Sequence, residues 1–407
     1  MRIAYLCADF GIPVFGAKGA SVHVRGLTSA LESLGHEVLI LTPRAEGNCP
    51  PGFPSELAAI DLDEADRWVY DLLVEDRWAG AAVAREVRAL LYAGTLRRRG
   101  LDLLRAFDPD VVVERYSLLG RAGIDLARAL DVPLIVEVNA PITQEQAEHR
   151  GLAFAETARA VERDLLRAAD RVVTVSSTLE RWLVELGVDP VRVTVLRNGV
   201  DAARFDRGGA ERNPMRECLE AGDGSLIGFL GSLRPWHDVQ TLIEAVARLR
   251  RDGRSVKLVV IGDGPHKGVL AGAARKAGVD AVFTGAVPHE RVPAHLAALD
   301  VAVAPYGPSE DFYFSPLKLV EYLAAELPVV AADIGDLRHC VRPGETGWLY
   351  PPGDVDALTE AMRVALDDEL AARRIARAGH EHARTEHSWE ANAERLVELA
   401  RESGGSR

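Results

Sequence analysis

Basic residues are in the minority. Lys+Arg total 48 against Asp+Glu 61, a formal charge of −13, so the chain lacks the cationic excess that non-specific nucleic-acid binding requires. Cysteine is scarce: Cys7, Cys49, Cys218 and Cys340 lie far apart, with no C-x-x-C pair and no Cys/His ligand spacing. That argues against a zinc site or a disulfide scaffold and makes reduced thiols in the cytosol the expectation. No uncharged apolar run reaches the ~18–20 residues of a membrane span, and the opening Met-Arg-Ile-Ala-Tyr-Leu-Cys turns polar at Asp9 without a signal-peptide core. A soluble, cytoplasmic protein with no nucleic-acid partner is expected. Walker A, G-x-S-x-G and a Ser/His/Asp order are also absent.

What is present is alternation. Near-continuous apolar runs at 2–7, 37–41, 111–114, 134–138, 171–175 and 191–196, and again at 226–230, 256–261, 281–284, 301–304 and 329–332, read as parallel strands covered on both faces. Helical periodicity fills the gaps, as at 22–34, 153–168 and 239–251. The pattern restarts after 206–224, a stretch rich in Gly, Pro and charge that reads as a connector. The fold class is α/β: two Rossmann-like, doubly wound domains facing across a cleft, with 1–205 and 206–385 as the halves and a tail helix over 386–404 returning to the first.

Ligands in such sheets bind at the carboxyl ends of the strands, so the loops there carry the functional reading. After the first strand, Gly16 and Gly19 permit close backbone approach at a helix start that favours anions, ahead of His23. Gly231-Ser-Leu-Arg-Pro-Trp-His-Asp places Arg234 and His237 where a guanidinium can grip a phosphate; an exposed ion pair and rim packing by Trp236 are the plainer readings. Gly262-Asp-Gly264 is a near miss to a dinucleotide fingerprint, with a tight turn as the alternative. Ser309–Val330 is densest: a loop, then a helix beginning at about Pro316 whose first N–H groups, at Leu317 and Lys318, point at an anion, with Lys318 adding charge and Glu321 one turn in suited to sugar hydroxyls. Asp61-Leu-Asp63 has the form of a metal-diphosphate motif but lacks a clear strand before it. Arg97-Arg-Arg99 closes a helix, with a peripheral membrane patch at the inner face as the functional alternative.

Taken together, the segments 13–23, 110–117, 137–141, 171–176, 196–201, 231–238, 262–265, 283–287, 314–324 and 344–351 make the chain resemble, over nearly its whole length, the family-4 retaining glycosyltransferases of the GT-B fold. The resemblance implies a C-terminal domain holding a nucleoside-diphosphate sugar, UDP-linked by expectation from the family, an N-terminal domain presenting an acceptor hydroxyl, retention at the anomeric carbon, no cofactor and no obligatory metal. It implies that Glu321 binds the ribose, that Ser315, Leu317, Lys318, Arg234 and His237 serve the diphosphate side, that Gly16 and Gly19 approach it, and that Gly262, Asp263, Thr284 and Val287 border the nucleobase. His23 and Glu137 fall on the acceptor or sugar side. Three positions depart from the pattern: Tyr313 stands for the signature's first glutamate, Ser232 and His237 for the diphosphate Arg and Lys, and Asn139 for a histidine thought to contact the donor sugar, which makes Arg234, Lys318, Glu321 and Asn139 the expected catalytic set. A sugar-nucleotide epimerase and an inactive nucleotide-sugar binder of the same build are the alternatives, with an NAD enzyme more distant; a monomer or homodimer is expected.

Overall fold

Runs of Val, Ile and Leu with both faces covered form two parallel sheets. In the computed structural model, which describes residues 1–47, 49–50, 52–75, 80–205 and 212–405, the first sheet contains β1 (Arg2–Cys7), β2 (Glu37–Thr42), β3 (Glu56–Ala59), β4 (Val111–Arg115), β5 (Leu134–Val138), β6 (Arg171–Thr174) and β7 (Val193–Val195) in the order β3-β2-β1-β4-β5-β6-β7. The second contains β8 (Ser225–Leu230), β9 (Val256–Ile261), β10 (Ala281–Gly285), β11 (Val301–Ala304), β12 (Val329–Ala332) and β13 (Trp348–Tyr350) in the order β10-β9-β8-β11-β12-β13. The orders are the same device used twice: the chain winds outward from the first strand, returns, and winds the other way. The switch points lie between β1 and β4 and between β8 and β11, and they are where such sheets open a crevice for ligands.

The sheets belong to two compact units, Met1–Arg197 with Trp389–Arg407, and Asn198–Ser388. The first crossing thus falls at 197/198 rather than at 205/206, because Asn198 N–H donates to Ser315 Oγ (3.0 Å) and Val200 N–H to the His387 carbonyl (2.8 Å), tying this strand of chain into the second unit. Of the expected connector 206–224, residues 206–211 lie outside the described residues; Arg212–Cys218 is a helix whose Arg212 and Arg216 both grip Asp300 (2.5 and 2.9 Å).

Edge strands β3 and β13 break the sequence reading. Each is short, three or four residues, and β3 is only half-buried at its centre and exposed at both ends, where the central strands β4 and β5 are buried throughout. The 191–196 run splits into a 3₁₀ turn, Pro190–Arg192, and β7, because Pro190 sets the turn and Asp189 caps it. Asp61 and Asp63 follow β3 directly and are taken up within the fold: Asp61 pairs with Arg67, and Asp63 pairs with Arg98 while accepting the Asp66 N–H (3.0 Å) at the start of helix Glu64–Glu75. Arg98 also binds Asp66, and Arg97 approaches Asp125 (3.9 Å), so two of the three arginines of the 97–99 cluster are engaged by carboxylates. Among the described residues no helix is long and apolar enough to cross a membrane.

The terminal helix Trp389–Gly404 packs on helix Gly19–Ser33 of the first unit. The contact is backbone against indole. A Cβ on Gly26 would lie 2.5 Å from Trp389 Cε2 and Nε1, and the His23 ring stands edge-on to the same indole at 5.0 Å. Gly26→Val should therefore lower thermal stability by roughly 1–3 kcal/mol through forced displacement of a well-packed aromatic, and limited proteolysis should release the tail; an unchanged melting temperature would show that the indole moves aside freely.

One buried acid of this unit is short of partners. Glu114 on β4 is fully buried, its Oε2 accepting the Gly123 N–H at 3.0 Å; its Oε1 and the Tyr92 hydroxyl have no hydrogen-bond partner among the described residues, and both side chains line a cavity of about 10 Å³. That is about the least space a water needs. Burial pushes the Glu114 pKa up to about 7. A carboxyl whose folded pKa is raised contributes its stability below the unfolded pKa and loses it as pH rises through the folded value. Stability should fall between about pH 4.5 and 7, by up to ~3 kcal/mol for this group, and Glu114→Gln should flatten that slope in a pH series of denaturant midpoints.

Candidate functional site

In the second unit the switch point is occupied by a cation without a counter-ion in contact. Phe229 near the end of β8 and Tyr306 just past β11 turn their rings toward Lys318, whose Nζ lies 4.3 Å and 5.4 Å from the two ring centres. Lys318 is buried and its ammonium has no hydrogen-bond partner among the described residues. It is carried by the helix Leu317–Ala324, beginning one residue after Pro316, whose first-turn N–H groups have no intrahelical acceptor. Burial lowers the lysine pKa to about 7, against the opposing pull of Glu321. The loop after β8 closes over it: Gly231 holds φ 145°, a conformation that side chains rarely adopt, and a Cβ there would lie 2.8 Å from Lys318 Nζ.

His237 shares the two rings, at 5.7 Å from Phe229 and 5.6 Å from Tyr306. Its Nδ1 hydrogen-bonds the Ser232 carbonyl, which can only accept, so the neutral ring carries its proton on Nδ1 and leaves Nε2 as an acceptor. Burial, then the nearby Lys318 charge, hold its pKa far below the ordinary histidine value. Arg234, on the same loop, is exposed; no hydrogen-bond or ion-pair partner exists for its guanidinium among the described residues, and it lies 5.8 Å over the Trp236 ring, which stacks on Phe314. The ion-pair alternative for Arg234 finds no support. One turn along the helix, buried Glu321 holds His289 Nε2 at 2.7 Å through Oε1, leaving Oε2 unengaged. Ser315 receives the Asn198 N–H on its hydroxyl and the Asn198 side-chain amide on its carbonyl (2.5 Å), so it braces the loop.

The remaining positions on this side are backbone features. Gly262 has φ 141°, and a Cβ there would lie 2.0 Å from the Gly231 carbonyl oxygen; one on Gly264 would lie 2.6 Å from Leu233 N. These glycines are needed to pack one loop on the other, which is the tight-turn reading of the near-miss fingerprint. Asp263 is exposed and turned into its own loop, accepting the Gly264 N–H at 2.8 Å. Thr284 Oγ1 donates to the Gly285 carbonyl at 2.9 Å, and half-buried Val287 packs on the core. Leu317 is half-buried as the first residue of its helix.

In the first unit, a second cluster gathers at the ends of β1, β4 and β5. Glu137 is buried and fully engaged: its Oε2 accepts from Tyr5 (2.9 Å), while its Oε1 meets Arg115, His23 Nε2 (3.0 Å) and Asn139 Nδ2 (2.5 Å). Burial alone would raise its pKa, but His23 and Arg115 outweigh it and hold the carboxyl well below the usual carboxylate range. Glu137 therefore does not present itself to an acceptor, as the sequence reading had it; it anchors its neighbours. Gly16 accepts from Arg25 on its carbonyl (2.8 Å), and a Cβ there would strike Pro13 Cγ at 2.8 Å, so this glycine serves its turn; Gly19 opens its helix on the surface.

Sequence reasoning missed Phe229, Tyr306 and His289 in one cluster and Tyr5 and Arg115 in the other. Glu114-Arg115 interrupting a valine run was the one available signal, since buried charge in a strand needs a partner; the aromatic rings read only as core.

Comparison with known proteins agrees with both units. The family described as glycosyl transferases group 1 matches residues 224–368, and the glycosyl transferase 4-like domain matches residues 18–199. Glycogen synthase of Mycobacterium tuberculosis (strain ATCC 25618 / H37Rv) is 32% identical over 423 residues, spanning 99% of this chain and 96% of its own. A GDP-mannose-dependent alpha-mannosyltransferase of Mycobacterium tuberculosis (strain CDC 1551 / Oshkosh) is 31% identical, over 92% of this chain and 91% of its own. Anabaena Alr3699/HepE, solved in complex with UDP-glucose, superposes with a TM-score of 0.73 at 17% identity, over 98% of both chains. The chain belongs to the family-4 glycosyltransferases of the GT-B fold, the group 1 glycosyl transferases.

Gly262→Ala tests how far the loop packing supports the cation. The 2.0 Å approach to the Gly231 carbonyl forces the β8 loop to move, and the expected result is a destabilisation of a few kcal/mol with a change in the environment of His237; wild-type stability and an unmoved His237 ring resonance would refute it.

Proposed function

We propose that this glycosyltransferase transfers a sugar from a nucleoside-diphosphate sugar, UDP-linked, to an acceptor hydroxyl with retention at the anomeric carbon. The observation that carries this is the buried, unpaired Lys318 ammonium at a helix start on the β8/β11 switch point. A cation kept out of water with no protein anion in contact is compensated when a diphosphate arrives. Support for a uridine nucleotide comes from the fold shared with Anabaena Alr3699/HepE and its UDP-glucose; the mannosyltransferase relative, named for GDP-mannose, supports a guanosine one, so both donors belong in the test.

In this reading Glu321 Oε2 accepts the ribose hydroxyls while His289 fixes the carboxylate. Lys318, Arg234 and the N–H groups of Leu317 and Lys318 stabilise charge on the departing diphosphate, which is where an electrostatic contribution to the barrier is greatest. The acceptor attacks from the leaving-group face and loses its proton to the diphosphate oxygen. Gly262, Asp263, Thr284 and Val287 border the base.

Lys318 makes the binding step pH-linked. With its pKa near 7 in the empty site, the amine is largely neutral at pH 8 and must take up a proton when the diphosphate binds. Calorimetric titration of UDP and of GDP in buffers of different ionisation enthalpy should show uptake approaching one proton at pH 8 and little at pH 6, with affinity falling as pH rises. Lys318→Arg, always charged, should abolish the uptake, and Lys318→Met should lower kcat/KM with UDP-glucose or GDP-mannose by at least about a hundredfold. Absence of binding by either nucleotide would overturn the donor assignment.

A further inference from the structure

Arg88 lies in the helix Ala81–Phe107 of the first unit and is half-buried. Among the described residues every other buried or half-buried arginine donates to an acceptor or pairs with an acid; Arg88 does neither. Its Nε is shut away from water with no acceptor, while the two terminal nitrogens keep access to solvent. The guanidinium lies 4.2 Å from the ring centre of Phe10 and 5.8 Å from that of Tyr70. Tyr70 comes from the helix Glu64–Glu75, and Phe10 from the loop after β1.

The surroundings hold the rings and withhold a counter-ion. Phe10 is set edge-on against buried Tyr92 at 5.0 Å, and Arg44 Nη1 donates to the Phe10 carbonyl at 3.2 Å, which pins the loop. The acids of these segments are taken: Asp9 accepts the Gly11 N–H (2.6 Å), Glu46 accepts from Arg44 (2.8 Å), and Asp66 binds Thr95 (2.7 Å) and Arg98. Taking a guanidinium out of water without an anion costs stability, and stacking on aromatic rings returns a modest part of it. A methionine would fill the gap between the same rings with no charge to desolvate. An oxyanion along the two terminal nitrogens restores bidentate, charge-assisted bonds. The loop after β1 borders the β1/β4 switch point, where a sheet of this kind takes its ligand.

We propose that Arg88 is an oxyanion-binding site of the first unit, and that it takes the charged group, a phosphate ester or a carboxylate, of an anionic acceptor. The oxyanion site stands on the geometry of the first unit alone. Its assignment to the acceptor rests on the transfer reading above.

The site is tested first with inorganic phosphate at low ionic strength. Lys318 also draws phosphate, so calorimetric titration is made on the Lys318→Met chain. Binding should persist there, weaken at least tenfold when Arg88→Met is added, and weaken less with Arg88→Lys, which keeps the charge and loses the fork. Absence of binding to the Lys318→Met chain, or equal binding with Arg88→Met, overturns the site. Arg88→Met alone should melt no lower than wild type, because the ring contacts remain and an unpaired charge is gone; a lower melting temperature with phosphate binding unchanged makes Arg88 a packing residue and overturns it too.

The owner of the oxyanion is found next. UDP and GDP should bind Arg88→Met as tightly as wild type, and a weaker nucleotide would give Arg88 to the donor and overturn the acceptor assignment. With UDP-glucose or GDP-mannose as donor, glucose 6-phosphate and glucuronate are compared with glucose, and phosphatidylglycerol vesicles with free glycerol. The anionic member of a pair should be favoured at least tenfold in kcat/KM, and Arg88→Met should erase the preference; the pair that shows it separates a soluble acceptor from a lipid headgroup. Transfer to neutral acceptors alone, transfer to none, or a preference untouched by Arg88→Met overturns the assignment. If wild type binds neither nucleotide, the donor reading falls, and the phosphate titration still decides the oxyanion site.

Discussion

A lysine ammonium taken out of water without a hydrogen-bond partner is among the costlier things a core can hold, and the second unit is arranged around doing so. Phe229 and Tyr306 face it with their π-clouds, a modest compensation compared with lost hydration. Gly231 sits beside the ammonium at φ 145°, which favours glycine, and Gly262 must lack a side chain because the Gly231 carbonyl fills the space. Glycine spacing that looks like a nucleotide fingerprint is thus the trace of two loops packed around one charge.

The family's departures make sense in these terms. Ser232 and His237 stand where the resemblance would put an arginine and a lysine. Lys318 enters from the helix Leu317–Ala324 and lies against the same two rings as His237, while Arg234 supplies a guanidinium two residues beyond Ser232. A neutral histidine beside a desolvated lysine is also mutually consistent, since each disfavours the other's second charge.

The eleven apolar runs each contain a strand, since a parallel strand covered by helices on both faces writes itself as an unbroken apolar run. β3 and β13 escaped because each is only three or four residues long and partly exposed, so Glu56-Leu-Ala-Ala and Trp348-Leu-Tyr leave no such run. Lys318 and Glu321 on the helix that follows β11, and Asn139 in the loop after β5, could be singled out by their place beyond a strand. Their partners could not: Tyr5, Arg115, His289, Phe229 and Tyr306 reach those sites from distant segments, and a side chain's non-local neighbour leaves no periodic trace. Glu137 shows the limit: the sequence places it on the acceptor or sugar side, and its engagement by Tyr5, Arg115, His23 and Asn139 is visible only in the fold.

The return of Trp389–Gly404 to the first unit has a consequence for how the chain comes into being. Residues 198–388 are contiguous, so the second unit has all its parts as soon as that stretch has left the ribosome. The first unit does not: its opening segment is made first, yet the Gly26 surface stays uncovered until the last helix is released. Synthesis order and completion order are reversed, and the half whose strands are made earlier is the one that waits, with an apolar helix face exposed, for residues 389–404.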